Sequence, residues 1–309
     1  MIANMPALDD LVARFRQGDR QALARLLSLA GRGAALPDLG TVRARGKVVA
    51  FTGSGGVGKS TLVGKMIAHL RGQGLKVAVL ACDPQSPVSG GALLGDRFRM
   101  GDKADEGVFI RSLAALPGHG AIADHLAPMV RLLQAFGFDV VLIETAGSGQ
   151  SDVGARDLAD VLVLLLQPES GDELQWEKAG VLEVADVIVI HKADLPGAEQ
   201  TAAQVRAILD LSGQRSIPLV KVSAKSGQGV EELWRAIEAV ARAAAPEVRV
   251  ADLAQAAQQL LADRVTSAWK THDPALVQIV RRWQQGELSL RDAARAVLTL
   301  VTDTAESSQ

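Results

Sequence analysis

Eight consecutive residues, Gly53-Ser54-Gly55-Gly56-Val57-Gly58-Lys59-Ser60, have the composition and spacing of a phosphate-binding loop. The glycines let the backbone turn with its amides pointing inward, so that successive N–H groups surround an anion. Lys59 supplies a charge that can reach β- and γ-phosphates, and the Ser60 hydroxyl can help hold Mg²⁺. A glycine-rich turn alone binds nothing, so its surroundings decide. Val48, Val49, Ala50 and Phe51 precede it as a β-prone run, and Thr61 to Leu70 follow with helical spacing. A helix there adds its positive N-terminal end to the site. The chemistry implied is the binding of a nucleoside triphosphate and attack on its γ-phosphorus.

Acidic residues stand at two predicted strand ends, in Cys82-Asp83-Pro84 and Glu144-Thr145-Ala146-Gly147. A carboxylate there can hold Mg²⁺ directly or through water. Taken singly, each reads equally as a helix cap or a solvated turn. Asp83, Glu144 and Lys59 gain weight together, because all three converge on one phosphate. Between them, Gly90-Gly91-Ala92-Leu93-Leu94-Gly95-Asp96-Arg97 is a glycine-rich polar segment of the kind that orders around a nucleotide, with Asp96 a further metal contact. Gln150 could orient water if its loop folds back.

A base site is legible further on. His191-Lys192-Ala193-Asp194 closes another strand, where guanine-nucleotide proteins carry Asn-Lys-x-Asp. The aspartate accepts two hydrogen bonds from guanine, the lysine stem covers the base, and adenine offers no such donor pair. His191 replaces the asparagine, and an imidazole can still donate one hydrogen bond. Ser223-Ala224-Lys225 follows the last strand as a second base-lining turn.

These residues need a frame. Apolar runs recur at 48–52, 77–82, 140–144, 161–166, 187–191 and 219–222, with helical stretches between most of them. Continuous apolar strands joined by helices indicate an α/β fold, a doubly wound and mainly parallel sheet with its ligand at the carboxyl ends. Residues 1–46 read as an N-terminal helical extension: two amphipathic helices broken at Gly18-Asp19, then a connector with Pro37. Residues 47–245 form the nucleotide domain, and 246–309 a helical arm that begins at Pro246. Such an arm cannot bury its apolar face alone, which favours homodimerisation.

The 309 residues suffice for a sizeable core, and a net charge of −2 argues against a nucleic-acid surface. Cys82 is the one cysteine, so a reducing cytoplasm fits. The first residues lack a signal-peptide pattern, and the longest apolar run, 161–166, is far too short to span a membrane.

The stretches 79–84, 90–100, 137–145 with 147–151, and 171–175 with Lys178 and Gly180 make the chain similar to the MeaB/MMAA (ArgK-type) GTPases, from about residue 8 to 302. The resemblance implies a G-protein chaperone of an adenosylcobalamin-dependent acyl-CoA mutase, such as methylmalonyl-CoA mutase. It would bind GTP and GDP with Mg²⁺, gate cobalamin loading, protect or reactivate the mutase, and dimerise through a C-terminal helical arm. It implies Lys59, Ser60 and Thr61 at the phosphates, Asp83, Asp96 and Glu144 as metal and switch carboxylates, and Lys192 and Asp194 as base readers. It also implies that Gly171 to Gly180 relays nucleotide state to the mutase. The chain departs from the family at His191, Ala146, Ser148, Trp176-Glu177, Ala179, Pro87 and Val88. Those loop changes point to a divergent member, with isobutyryl- or 2-hydroxyisobutyryl-CoA mutase as candidate partners.

Two other readings compete. A metal-insertion GTPase would carry a His/Cys-rich segment, whereas this chain has five histidines and one cysteine without ligand spacing; His119 and His125 are merely near one another. An ATP-dependent kinase or transport ATPase would bind ATP more tightly than GTP.

Overall fold

The computed structural model describes residues 8–32, 34, 46–84, 105–115, 126–146, 156, 158–168, 182, 184–211, 217–240, 257, 261, 264–266, 268–269 and 271–303. They fall in two compact units, Met1–Arg242 and Ala243–Gln309.

The first unit is built on a seven-stranded sheet: β1 (Lys47–Gly53), β2 (Val77–Pro84), β3 (Val108–Ala115), β4 (Val140–Glu144), β5 (Val161–Leu166), β6 (Val187–His191) and β7 (Leu219–Val222). Their spatial order is β3-β2-β4-β1-β5-β6-β7, and every pairing is parallel. The sheet is thus wholly parallel, beyond the mainly parallel one expected. β3 is a strand that the sequence reading lacked. It lies at the sheet edge, and its described side chains from Phe109 to Leu113 are half-buried. Arg111 also breaks the apolar run there and donates to Ser28 Oγ at 3.0 Å.

Strand side chains alternate between two covered faces, as the pleat requires. Val48, Ala50, Ala78, Leu80, Val141, Ile143 and Leu162 face a core that also contains residues of α1 (Leu8–Arg16), α2 (Arg20–Ala30) and α4 (Leu126–Phe136). Val49, Phe51, Val79, Leu142 and Val163 face the opposite core, with α3 (Lys59–Gly72) and α6 (Val230–Ala239). Leu164, Leu166, Ile188 and Ile190 pack with α5 (Ala198–Leu211). The N-terminal helices therefore share the core of the sheet. The break between them is functional for the fold, because Asp19 caps α2 by accepting from the Gln21 and Ala22 amides.

An aspartate before three of the strands pins strand register. Asp139, Asp160 and Asp186 accept from the backbone N–H of Lys76, Val48 and Leu162, at 2.7, 2.8 and 2.8 Å. Each carboxylate thus satisfies an amide at the start of a neighbouring strand, which a slipped register would leave unpaired. At the same end of β1, the buried Lys47 ammonium donates to the Ile237, Glu238 and Val240 carbonyls, closing the C-terminus of α6.

In the second unit, α7 (Pro274–Gln284) starts with Asp273 as N-cap and proline in the first turn, and α8 (Leu290–Asp303) follows the turn at Gly286. Trp269, Trp283, Leu290 and Leu298 are exposed. Among the described residues, no helix is long and apolar enough to cross a membrane.

Candidate nucleotide site

The order of the sheet puts β1 between β4 and β5, so the loop after β1 opens at the carboxyl ends of the central strands. Gly53 leaves the sheet with φ +146°, and a Cβ there would lie 2.5 Å from the Leu165 carbonyl oxygen, so only glycine fits. Ser54 to Gly56 are at the surface side of the turn, Gly55 and Gly56 exposed, and Val57 N–H closes it onto the Ser54 carbonyl at 3.3 Å. Val57 is buried, Gly58 caps α3 with φ +100°, and Lys59, Ser60 and Thr61 form the first turn of that helix. Lys59 is buried, and its Nζ donates to the Gly53 and Ser54 carbonyls at 2.9 and 3.1 Å. A phosphate, with its full negative charge, can compete for the same protons.

Ser60 Oγ donates to Glu144 Oε1 at 2.6 Å. The contact arises because β4 pairs with β1 in a register that sets Glu144 beside Phe51. Glu144 is buried. A hydroxyl and a carboxylate oxygen this close are hard donors suited to Mg²⁺, which takes one or two carboxylates and fills its remaining positions with water and phosphate. The residues therefore fit a magnesium site. Asp83 is the last residue but one of β2, its backbone opposite Ala114 of β3, and only its backbone is described. Asp96, Gln150 and the stretch 171–180 lie outside the described residues.

The residues expected to read a base come together at the ends of β6 and β7. Asp194 is exposed, and its Oδ1 accepts from the buried Ser223 Oγ at 2.6 Å. That hydroxyl holds the Asp194 carboxyl below the ordinary carboxylate range, aided by a backbone amide. The carboxylate is thus charged and held in place by Ser223. Ala224 is buried beside it in sequence, and Lys225 is exposed. Lys192 adopts φ +56°, and its Nζ donates to the Gly56 carbonyl at 3.2 Å and to Gln167 Oε1 at 2.8 Å.

His191 is 3 % exposed, and its Nδ1 lies 2.7 Å from the Val57 carbonyl oxygen. A carbonyl only accepts, so Nδ1 carries the proton, and the neutral ring keeps its lone pair on Nε2. Burial lowers the imidazole below its ordinary 6.5; the Val57 hydrogen bond and Asp194 oppose this, and Lys192 reinforces it. A lowered folded value means that the unfolded chain binds the proton more tightly. The stability this group contributes is therefore full above pH 6.5 and is lost as the pH falls from there towards the folded value. Urea unfolding of His191→Asn is expected to show a shallower loss of midpoint than the parent chain just below pH 6.5.

Two features escaped the sequence reading. The histidine donor goes to the phosphate loop rather than outward to a base, a contact between residues 134 apart. Gln167 holds Lys192, and its signal was available: a polar residue ending the apolar β5 run, at a carboxyl end of the sheet.

A family model described as "Methylmalonyl Co-A mutase-associated GTPase MeaB" matches residues 17–274. The chain belongs to the MeaB family. Among its relatives, a putative GTPase of Caulobacter vibrioides is 36 % identical over 299 residues, covering 89 % of this chain and 91 % of that one. GTPase ArgK of Escherichia coli is 34 % identical over 257 residues, 76 % of each chain. The mitochondrial methylmalonic aciduria type A homolog of Mus musculus is 38 % identical over 208 residues, 62 % of this chain and 49 % of that protein. A solved structure of a LAO/AO transport system kinase shares the fold, with a TM-score of 0.58 at 24 % identity, over 98 % of this chain and all of that one. With the MeaB-family match and the loop geometry together, the chain is a GTPase with a phosphate-loop fold.

Proposed function

We propose that this chain binds GTP with Mg²⁺, hydrolyses it slowly on its own, and serves an adenosylcobalamin-dependent acyl-CoA mutase by gating cobalamin loading and protecting or reactivating the enzyme. The observation that carries the partner is the family match, whose description names a methylmalonyl-CoA mutase-associated GTPase. Methylmalonyl-CoA mutase is the first candidate, with isobutyryl- and 2-hydroxyisobutyryl-CoA mutase behind it.

In this reading the amides of Gly53 to Thr61 surround the β- and γ-phosphates, and the Lys59 ammonium moves from the loop carbonyls to the γ-phosphate. Ser60 and Glu144 hold Mg²⁺, with Asp83 and Asp96 from the neighbouring segments, and the ion supplies charge neutralisation. Water attacks the γ-phosphorus and leaves GDP and phosphate. Catalysis is electrostatic, so a charge delivered by the partner accelerates it strongly. The exposed Trp269, Trp283, Leu290 and Leu298 support a homodimer formed through the C-terminal helices.

The test is co-purification of the chain with each candidate mutase, with and without a non-hydrolysable GTP analogue, followed by single-turnover hydrolysis. Nucleotide-dependent capture and faster turnover with one mutase are expected. No capture of any of them, or equal turnover with and without the captured one, removes the partner assignment.

Base choice has its own test. Asp194→Asn replaces one acceptor oxygen with an N–H₂ group that confronts guanine donors, while its amide oxygen still accepts from Ser223. The preference for GTP over ATP is expected to fall by about 10²-fold, read by competition against a fluorescent GDP analogue. Undiminished discrimination would show that another group reads the base.

A further inference from the structure

Lys192 is held in an uncommon backbone conformation. Its φ of +56° lies in the left-handed region that residues other than glycine rarely adopt. The turn around it is closed on both sides: Leu195 N–H bonds to the Lys192 carbonyl at 2.9 Å, and Ala193 N–H to the Val222 carbonyl at 3.1 Å. The far end of the side chain is fixed as well. Besides the Gly56 carbonyl, Nζ meets Gln167 Oε1 at 2.8 Å. An ammonium only donates, so the amide oxygen of Gln167 faces it and not the amide nitrogen. We propose that Gln167 is a positioning residue for base binding: by holding the Lys192 ammonium it lays the aliphatic stem of that lysine where a purine ring rests. This rests on the guanine-nucleotide reading of the site.

Gln167 is itself supported from both directions along the chain. It follows β5, one residue beyond the pairing of Leu166 with Ile190 of β6. Pro168 comes next and disfavours a helical turn at Gln167. The buried Thr201 of α5 donates from Oγ1 to the Pro168 carbonyl at 3.4 Å. Just before α5, Gly197 lies so near that a Cβ there would be 3.6 Å from that of Pro168. The strand before Gln167 and the helix packed behind Pro168 thus fix the backbone that carries the amide. Lysine is rich in rotamers, and a free stem would lose that freedom on closing over a base. With Gln167 in place the loss falls in folding rather than in binding, which is how preorganisation raises affinity. The stem carries no group that hydrogen-bonds a base, so it covers any purine alike. Gln167 therefore contributes affinity for the base, while the choice among bases belongs to Asp194.

The experiment measures displacement of fluorescent GDP, with magnesium, by GDP, inosine diphosphate and inorganic pyrophosphate. It compares the parent chain, Gln167→Leu, Gln167→Glu, Lys192→Ala and the double variant of Gln167→Leu with Lys192→Ala, with thermal unfolding of each. Gln167→Leu is expected to bind both nucleoside diphosphates about fivefold more weakly, and pyrophosphate as the parent does. Gln167→Glu keeps an acceptor oxygen and adds a charge, so it should recover the loss, with an affinity that falls more steeply with salt than the parent's. In the Lys192→Ala background Gln167→Leu is expected to change nothing, because the group it acts through is gone. A parent that binds no guanine nucleotide sinks the proposed function and this inference with it. A parent that binds while Gln167→Leu binds GDP as tightly sinks the inference alone. So does an equal weakening for pyrophosphate, or the same loss with and without the Lys192 side chain. Should Gln167→Leu not fold, Gln167→Glu decides by itself: a salt dependence no steeper than the parent's overturns the inference.

Discussion

Lys59→Ala is expected to lower single-turnover GTP hydrolysis by about 10²–10³-fold, the usual loss when one preorganised donor is taken from a dry site where transition-state charge develops. The side chain is buried and already bonded to two loop carbonyls, so its ammonium is held within the loop before any phosphate arrives. Alanine removes the charge without disturbing the helix, since position 59 is the first residue of α3 and alanine is the strongest helix former. The variant should therefore unfold at about the temperature of the parent while binding nucleotide more weakly. Lys59→Arg is the informative companion. A planar guanidinium keeps the charge but cannot replace a compact ammonium that donates to Gly53 and Ser54 at once. Parent-like turnover in Lys59→Ala would remove the phosphate-loop assignment.

Most of the strands legible in the sequence are buried on both faces; β7, half-buried at the other edge, is legible through its short apolar run. β4, β5, β6 and β7 have the bounds expected, and β1 and β2 extend one or two residues beyond them. Full burial makes a strand read as an unbroken apolar run, and for β4, β5 and β6 every residue is buried. β3 fails that criterion because it stands at the edge, where polar residues such as Arg111 and Ser112 are acceptable. What sets register was also hidden. Asp139, Asp160 and Asp186 each precede a valine that begins a strand, yet nothing in a single sequence says which neighbouring amide such a carboxylate meets.

The site divides in the same way. The residues whose types are dictated by ligand chemistry stand out locally: the glycines, Lys59, Ser60, Glu144, Asp194. The contacts among them depend on which strands end side by side. Ser60 meets Glu144 across 84 residues, and Asp194 meets Ser223 across 29. The sequence shows His191 only as a replacement for the motif asparagine that can still donate one hydrogen bond, because type and position are all that it offers. Its neighbour in space, Val57, belongs to the loop after β1, two strands away from β6. Its exposure separates it from Asp194: the aspartate is exposed, the histidine is closed against the loop.

Glu144→Gln separates folding from function at the proposed metal position. Glutamine has the same shape, and its amide oxygen can accept the Ser60 hydroxyl as the carboxylate does at 2.6 Å. The hydroxyl therefore stays oriented, and the buried end of β4 keeps its packing. One negative charge is lost. Mg²⁺ gains most of its binding energy from charged oxygen, so the concentration of magnesium needed to slow nucleotide release is expected to rise by about 10–100-fold, with hydrolysis falling in parallel. Thermal unfolding without nucleotide should remain at about the parent's temperature, which distinguishes loss of the ion from loss of the fold. Ser60→Ala gives the complementary result: the charge remains, the hydroxyl does not, and the magnesium requirement rises less than in Glu144→Gln, because a neutral ligand contributes less to a hard cation than a carboxylate. Parent-like magnesium dependence in Glu144→Gln would take Glu144 out of the metal site. The 2.6 Å contact with Ser60 would then be a hydrogen bond that ties β4 to α3.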